Sequence, residues 1–275
     1  MRSRWGAALL CACAVSLLSA GAAQARPTPS WYTSSLAQKV EAAGAAGYTV
    51  GEETLNTECP GVQTPGVSAA GCIVAPYGCT ANFVFTDGSS KYIGTARHCT
   101  DRIGQEVTMQ VDTTTLAVVG TVAKMTSGDG EPGNDWALIK IDPAVAAKWG
   151  VNPAVPVIGG PQGIYTGCDV TPVMYYGHGY GVAVSQGKAE FGVATNWFDD
   201  GFGWTGFGAP GDSGSPVLTT AGQAAGDFTH LIVDPSGYPG SDHAGTRITK
   251  ALSQFRVSLV NADGSTTGAA GTNCG

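Results

Sequence analysis

Charge is scarce in this chain: only 13% of its 275 residues are Asp, Glu, Lys or Arg. A disordered chain carries more charge and less apolar content than this, so the 43% hydrophobic share points to a buried core. Basic residues are fewer than acidic ones, 14 against 21. Such a balance argues against nucleic acid or an anionic membrane as partner, since both reward clustered Lys and Arg. After the first 25 residues no apolar run is long enough to span a bilayer as a helix. Histidine is limited to His98, His178, His230 and His243, and no C-x-x-C pair occurs. A zinc site built on paired cysteines has no spacing to rest on, so no metal and no cofactor is expected.

What is present begins with an export signal. Arg2 and Arg4 give a positive start, Gly6 to Ala20 is apolar, and Ala23-Gln24-Ala25 is a small-residue cleavage site before Arg26. The apolar run is shorter than the roughly 20 residues that span a membrane, which disfavours an anchor. Residues 1–25 are therefore expected to be removed, leaving a secreted, extracellular protein, most simply a monomer. Without Arg2 and Arg4 the balance is 12 basic to 21 acidic side chains, a net charge of −9. Cys11 and Cys13 leave with the signal. Cys59, Cys72, Cys79, Cys99, Cys168 and Cys274 remain, an even number that predicts disulfides in an exported chain. A cut beyond Cys59 would leave an odd number, so processing, if any, is expected between Ala25 and Cys59.

Residues 26–70 form an N-terminal extension or partial propeptide. Leu36, Val40 and Ala43 suggest a short helix there, and 52–71 is rich in Gly, Pro and Thr. From Ile73 the texture changes. Short apolar or alternating runs recur about every ten residues between Gly, Asp, Ser and Pro, with Thr86-Asp87-Gly88-Ser89 as a hairpin turn. This pattern predicts an all-β sandwich or barrel. Asp142 to Gly163 is rich in Pro, Ala and Gly and reads as a linker. Within Arg247 to Val260, the apolar residues Ile248, Leu252, Phe255 and Leu259 predict a terminal helix docked on the second half.

Three stretches carry chemistry. Gly211-Asp212-Ser213-Gly214-Ser215-Pro216 holds a serine on a glycine-rich turn before an apolar strand. Such a turn presents a hydroxyl and leaves the N–H groups of Gly211 and Ser213 to face a developing oxyanion. Thr95-Ala96-Arg97-His98-Cys99 supplies a histidine, the side chain suited to accept a proton near neutral pH. Asn134-Asp135-Trp136-Ala137-Leu138-Ile139 supplies an aspartate at the mouth of a strand. Attacker, proton acceptor and the group that orients the acceptor are the parts of an activated hydroxyl. His230, in the apolar run Phe228-Thr229-His230-Leu231, is a second candidate base, better placed to line the groove.

These motifs, in the order His, Asp, Ser, resemble those of the chymotrypsin/trypsin-like serine peptidases, and most of all their secreted bacterial branch. The resemblance implies two antiparallel six-stranded β-barrels of the chymotrypsin-like type with a C-terminal helix. Residues 71–275 would form that domain: barrel 1 about 71–145, a linker about 146–163 and barrel 2 about 164–275. It implies a serine endopeptidase acting on polypeptides, with His98, Asp135 and Ser213 as triad and Gly211 and Ser213 as oxyanion hole. The alternatives are a catalytically silent binding protein of the same fold, or an esterase. It also implies a Cys79–Cys99 bridge beside the histidine. Cys59, Cys72, Cys168 and Cys274 allow three pairings, of which Cys59–Cys72 with Cys168–Cys274 is the simplest. Phe207 stands where trypsin-like members carry an acid, which argues against a Lys/Arg preference. Thr229, His230 and Leu231 resemble the strand that binds substrate backbone, with His230 and Leu231 in place of the usual aromatic residue and glycine. Thr246-Arg247-Ile248 resembles the motif beyond the pocket floor, which would put Asp242 and His243 near that floor, where a histidine would favour an acidic side chain; a surface histidine in a Gly-rich loop is the equal alternative. No Ile-Val-Gly-Gly start is visible, so Asp212 is expected to pair with an internal cation or hydrogen-bond donors.

Overall fold

The computed structural model describes residues 49–52, 65–128, 130–179, 189–233, 242–272 and 274. The predicted signal peptide, the helix over 34–46, Cys59 and the strand over 181–184 lie outside the described residues.

The strand texture of the sequence becomes two large antiparallel sheets. The first has nine strands in the order Thr266–Thr267, Ser258–Val260, Val84–Thr86, Lys91–Thr95, Ala137–Ile141, Leu116–Met125, Glu106–Gln110, Cys72–Ala75 and Cys79–Thr80. The second has eight, in the order Thr49–Glu52, His230–Val233, Asp242–Thr246, Gly201–Gly206, Ala189–Trp197, Thr171–Tyr176, Pro216–Thr219 and Ala224–Asp227. Six strands in each half was the expectation. Among the described residues the count differs because short edge strands, Thr49–Glu52 on one sheet and Thr266–Thr267 and Cys79–Thr80 on the other, are added.

Each sheet buries one apolar face. Ile73, Val84, Ile93, Val107, Met109, Val122 and Ile139 fill the first core. Tyr175, Trp197, Phe202, Trp204, Val217 and Phe228 fill the second. A third cluster draws on both halves and joins them, with Phe83, Phe85, Trp136, Tyr176, Leu218, Leu252 and Phe255.

One expectation about the connections gains detail and one is corrected. The Pro/Ala-rich stretch after Asp142 contains a helix, Pro143–Trp149, because the Asp142 carboxylate accepts from Ala144 N at 2.7 Å and proline occupies the first turn. The C-terminal helix spans only Ile248–Phe255. Arg256 then turns left-handed (φ 53°), and Ser258–Val260 pairs with Val84–Thr86 of the first sheet. The helix therefore docks between the halves rather than on the second alone, since Ile248, Leu252 and Phe255 belong to the joining cluster.

Cys79–Cys99 and Cys168–Cys274 are bonded. Cys72 is also disulfide-bonded. Among the described residues no helix is long and apolar enough to cross a membrane.

Candidate active site

The register of two neighbouring strands brings His98 and Asp135 together. Thr95 ends one strand opposite Ala137, which begins the next. His98 lies three residues past that pair and Asp135 two residues before it, so both project from the same end. A short helical turn, Arg97–Cys99, carries the histidine, and the Cys79–Cys99 bridge fixes that turn to the sheet's edge. Asp135 is fully buried. Its Oδ1 accepts from His98 N at 2.9 Å and its Oδ2 lies 2.5 Å from His98 Nδ1. A carboxylate only accepts, so the ring holds a proton on Nδ1 and Nε2 is left as the basic atom. The second sheet contributes as well: Asp135 N donates to Thr246 Oγ1 at 3.0 Å. Gly130, at φ +88°, passes so close that a Cβ there would lie 2.9 Å from Asp135 Oδ1 and 3.1 Å from His98 Cβ.

The serine turn is pressed against the strands that lead to His98. Ser213 is fully buried, and its carbonyl accepts from Thr80 N at 2.9 Å and faces Cys99 Sγ at 3.8 Å. Thr80 Oγ1 donates to Gly211 O at 3.0 Å. On the other side, Gly214 N donates to Phe228 O at 2.7 Å. Gly214 (φ +89°) must be glycine, because a Cβ would run into Thr80 O and Thr95 Oγ1. Gly211, at φ +96°, donates its N–H to no acceptor among the described residues.

Among the described residues Asp212 finds donors and no cation. Its Oδ1 accepts from Gly179 N at 2.7 Å and its Oδ2 from Ala209 N at 2.9 Å, and the Tyr175 hydroxyl oxygen lies 3.4 Å from Oδ2. Gly177 and Gly179 wrap so tightly around this carboxyl that neither position has room for a Cβ. Burial still dominates and pushes the Asp212 pKa up to about 7. Gly177, Gly179 and Tyr175 were not singled out from sequence. A Gly-His-Gly run after an aromatic strand was the signal available. His178 ties the same loop down, with its N–H on Thr80 Oγ1 at 3.0 Å and its Nε2 on Ala70 O at 2.8 Å.

The residues assigned to the groove fall into two groups. His230 is at the site: its ring centroid lies 6.0 Å from that of His98, and Nδ1 meets Thr229 Oγ1 at 2.9 Å. Leu231 follows it and is buried. Phe207 is exposed at 39%, with its carbonyl taken by the Tyr175 hydroxyl at 2.6 Å. His243 is fully buried beside Phe228 and Trp204, at ring separations of 5.0 and 5.4 Å. Its Nε2 donates to Gly206 O at 3.1 Å, while Nδ1 has no partner among the described residues. Burial lowers the pKa of both His230 and His243 to about 4, so both are neutral near pH 7. Cys79, Cys99 and His98 cluster within 4.8 Å, but the two sulfurs are bonded to each other and offer no thiolate to a metal.

No protein-family model and no curated protein matches the chain. Among solved structures it is similar to Protease A of Thermobifida fusca, with a TM-score of 0.51 and 22% identity over 70% of this chain and 98% of that one. It is similar to the same degree to a glutamic-acid-specific serine protease described as using a histidine triad in substrate binding. There the TM-score is 0.51 and the identity 21%, over 70% of this chain and all (100%) of that one. The chain therefore has the fold of the bacterial chymotrypsin-like serine proteases.

Proposed function

We propose that the chain is a secreted serine endopeptidase that hydrolyses peptide bonds through an acyl-enzyme on Ser213. The observation that carries this reading is the bracing of the serine turn against the His98–Asp135 pair, through Thr80, Cys99 and Gly214. His98 Nε2 accepts the hydroxyl proton as Ser213 Oγ attacks the carbonyl carbon. Asp135 holds the tautomer and stabilises the imidazolium. The N–H groups of Gly211 and Ser213 receive the oxyanion. His98 then returns the proton to the leaving amine, and water releases the acyl group by the reverse path. Every group used belongs to the chain itself, so the scheme calls on no metal or cofactor.

Phe207, Thr229, His230, Leu231 and His243 are proposed to line the substrate groove. Near pH 7 the two histidines bring shape rather than charge. His243 Nδ1 is proposed to take up a proton together with an acidic substrate side chain, since the carboxylate offsets the burial that otherwise keeps the ring neutral.

A fluorophosphonate probe tests the assignment. The wild-type protein is expected to be labelled at Ser213 and Ser213→Ala is not. Labelling that persists in Ser213→Ala, or is lacking in every processed form of the wild type, would overturn it. Faster turnover of a short-chain ester than of casein would favour an esterase.

A further inference from the structure

The neighbours of His230 decide which of its ring nitrogens carries the proton. Thr229 Oγ1 lies 2.9 Å from Ala244 O. A carbonyl oxygen only accepts, so the hydroxyl proton is engaged there. The same Oγ1 lies 2.9 Å from His230 Nδ1. With its one proton given to Ala244 O, the hydroxyl can only accept from the ring, and the proton of the imidazole sits on Nδ1. Nε2 is then a lone pair, and it has no hydrogen-bond partner among the described residues. Burial, reinforced by the nearby His98 ring, outweighs the pull of the Asp135 charge and keeps the imidazole neutral near pH 7. His243 is arranged in the opposite sense, with Nε2 donating to Gly206 O at 3.1 Å and Nδ1 left over.

The free nitrogen of His230 belongs to a ring beside the reacting groups. The centroids of the His98 and His230 rings are 6.0 Å apart, with the planes inclined at 60°. In the proposed mechanism His98 Nε2 is committed to the proton of Ser213. Of the two rings, only His230 is left to offer an acceptor to a substrate side chain packed against the pair. His230 is 3% exposed, so that acceptor keeps little contact with solvent even before a substrate arrives. Water can satisfy it in the free protein. A substrate that covers the ring with a methyl group displaces the water and leaves the lone pair unpaired, whereas a hydroxyl or amide N–H takes the water's place.

The geometry points to His230 Nε2 as a specificity-determining acceptor, which selects peptides that place a Ser, Thr, Asn or Gln side chain against the His98–His230 pair, beside the residue whose carbonyl is attacked. This rests on Ser213 being the nucleophile and His98 its base. It adds a second point of selection to the acidic pocket proposed around His243. Thr229 acts as the positioning residue, because its hydroxyl holds the proton on Nδ1 and so keeps Nε2 an acceptor.

The experiment uses the protein expressed from the full-length chain and pairs of peptides that differ only by Thr against Val, two side chains of similar shape. The pair is placed in turn at each of the three positions before the cleaved bond. At one of them the wild type should favour Thr by about 10- to 100-fold in kcat/KM. His230→Phe keeps a ring but offers no acceptor, and should bring that ratio to about 1. Thr229→Val removes the hydroxyl but leaves the backbone N–H of residue 229 on Ala244 O, a contact of 3.0 Å, and should lower the ratio as well. If His230→Phe does not fold, as read by circular dichroism, Thr229→Val decides, and an unchanged ratio there overturns the proposal. Equal rates for Thr and Val at all three positions in the wild type, or a Thr preference that survives in His230→Phe, also overturn it and leave the serine assignment standing. A wild type that cuts no peptide and takes no fluorophosphonate label removes the serine assignment, and the proposal falls with it.

Discussion

At the scale of single residues the site depends on two carboxyls in opposite situations. Asp135 has a fixed partner on each oxygen, His98 N and His98 Nδ1. Asp135→Asn keeps the size but presents an N–H₂ where the ring needs an acceptor, which favours the wrong tautomer. We expect kcat to fall about 10⁴-fold with the fold intact, read from steady-state kinetics beside a circular dichroism spectrum; a loss under tenfold would remove Asp135 from the triad. Asp212 has donors but no cation among the described residues, and burial lifts its pKa from 3.8 to about 7. Between those values the folded chain holds a proton that the unfolded chain has released, so Asp212 makes stability fall as pH rises from about 4 to about 7. His230 and His243, lowered from 6.5 to about 4, act in the opposite sense over much of the same range. A single pH profile therefore mixes the two, and the comparison has to be a difference. In a Ser213→Ala background, which prevents self-digestion, Asp212→Asn sets an amide donor against the N–H of Gly179 or Ala209. It should cost about 1–3 kcal/mol. Urea midpoints at pH 4.5 and 7 should show the gap between parent and variant narrowing as pH rises. A widening gap would mean that the carboxyl is ionised and well compensated in the folded state.

At the scale of elements the serine turn is held by strands from both sheets, and Gly214 is the point of closest approach. Gly214→Ala would combine a positive φ with a collision against Thr80 O. More than about 2 kcal/mol should be lost, with activity falling further than the unfolded fraction explains, because the turn must shift away from His98. A variant with parent stability and turnover would show that the turn has slack. The same scale explains what was legible in sequence. The serine turn, His98 and Asp135 stand out because each is a local pattern, a reactive side chain beside glycine or at the end of an apolar strand. Half of the clasp on Asp212 is not local: Gly179 N reaches a carboxyl 33 residues away through its backbone, and only the Gly-His-Gly run marks it in sequence. The last helix was read too long for a related reason. Ile248, Leu252, Phe255 and Leu259 keep a helical period across a chain reversal. The reversal is made by Arg256 at φ 53°, where a glycine would ordinarily flag the stop.

At the scale of the whole molecule, the site is shared between two sheets that do not hydrogen-bond into one, so its geometry is only as firm as their junction. Besides the hydrogen bonds that Thr80, His178 and Asp135 make across it, the junction has two larger parts among the described residues. One is the apolar cluster of Phe83, Phe85, Trp136, Tyr176, Leu218, Leu252 and Phe255. The other is the chain itself, which leaves the second sheet at Thr246, forms the Ile248–Phe255 helix and returns to the first sheet at Ser258–Val260. Leu259 sits in that returning strand, fully buried and opposite Phe85. If the returning strand locks the halves together, they unfold as one unit. Leu259→Ala, again with Ser213→Ala, should then lower stability by about 2–5 kcal/mol and move a single calorimetric transition to lower temperature. Its van 't Hoff and calorimetric enthalpies should stay equal. Two resolved transitions, with only the first shifted, would mean that the sheets fold independently and that the site forms by docking.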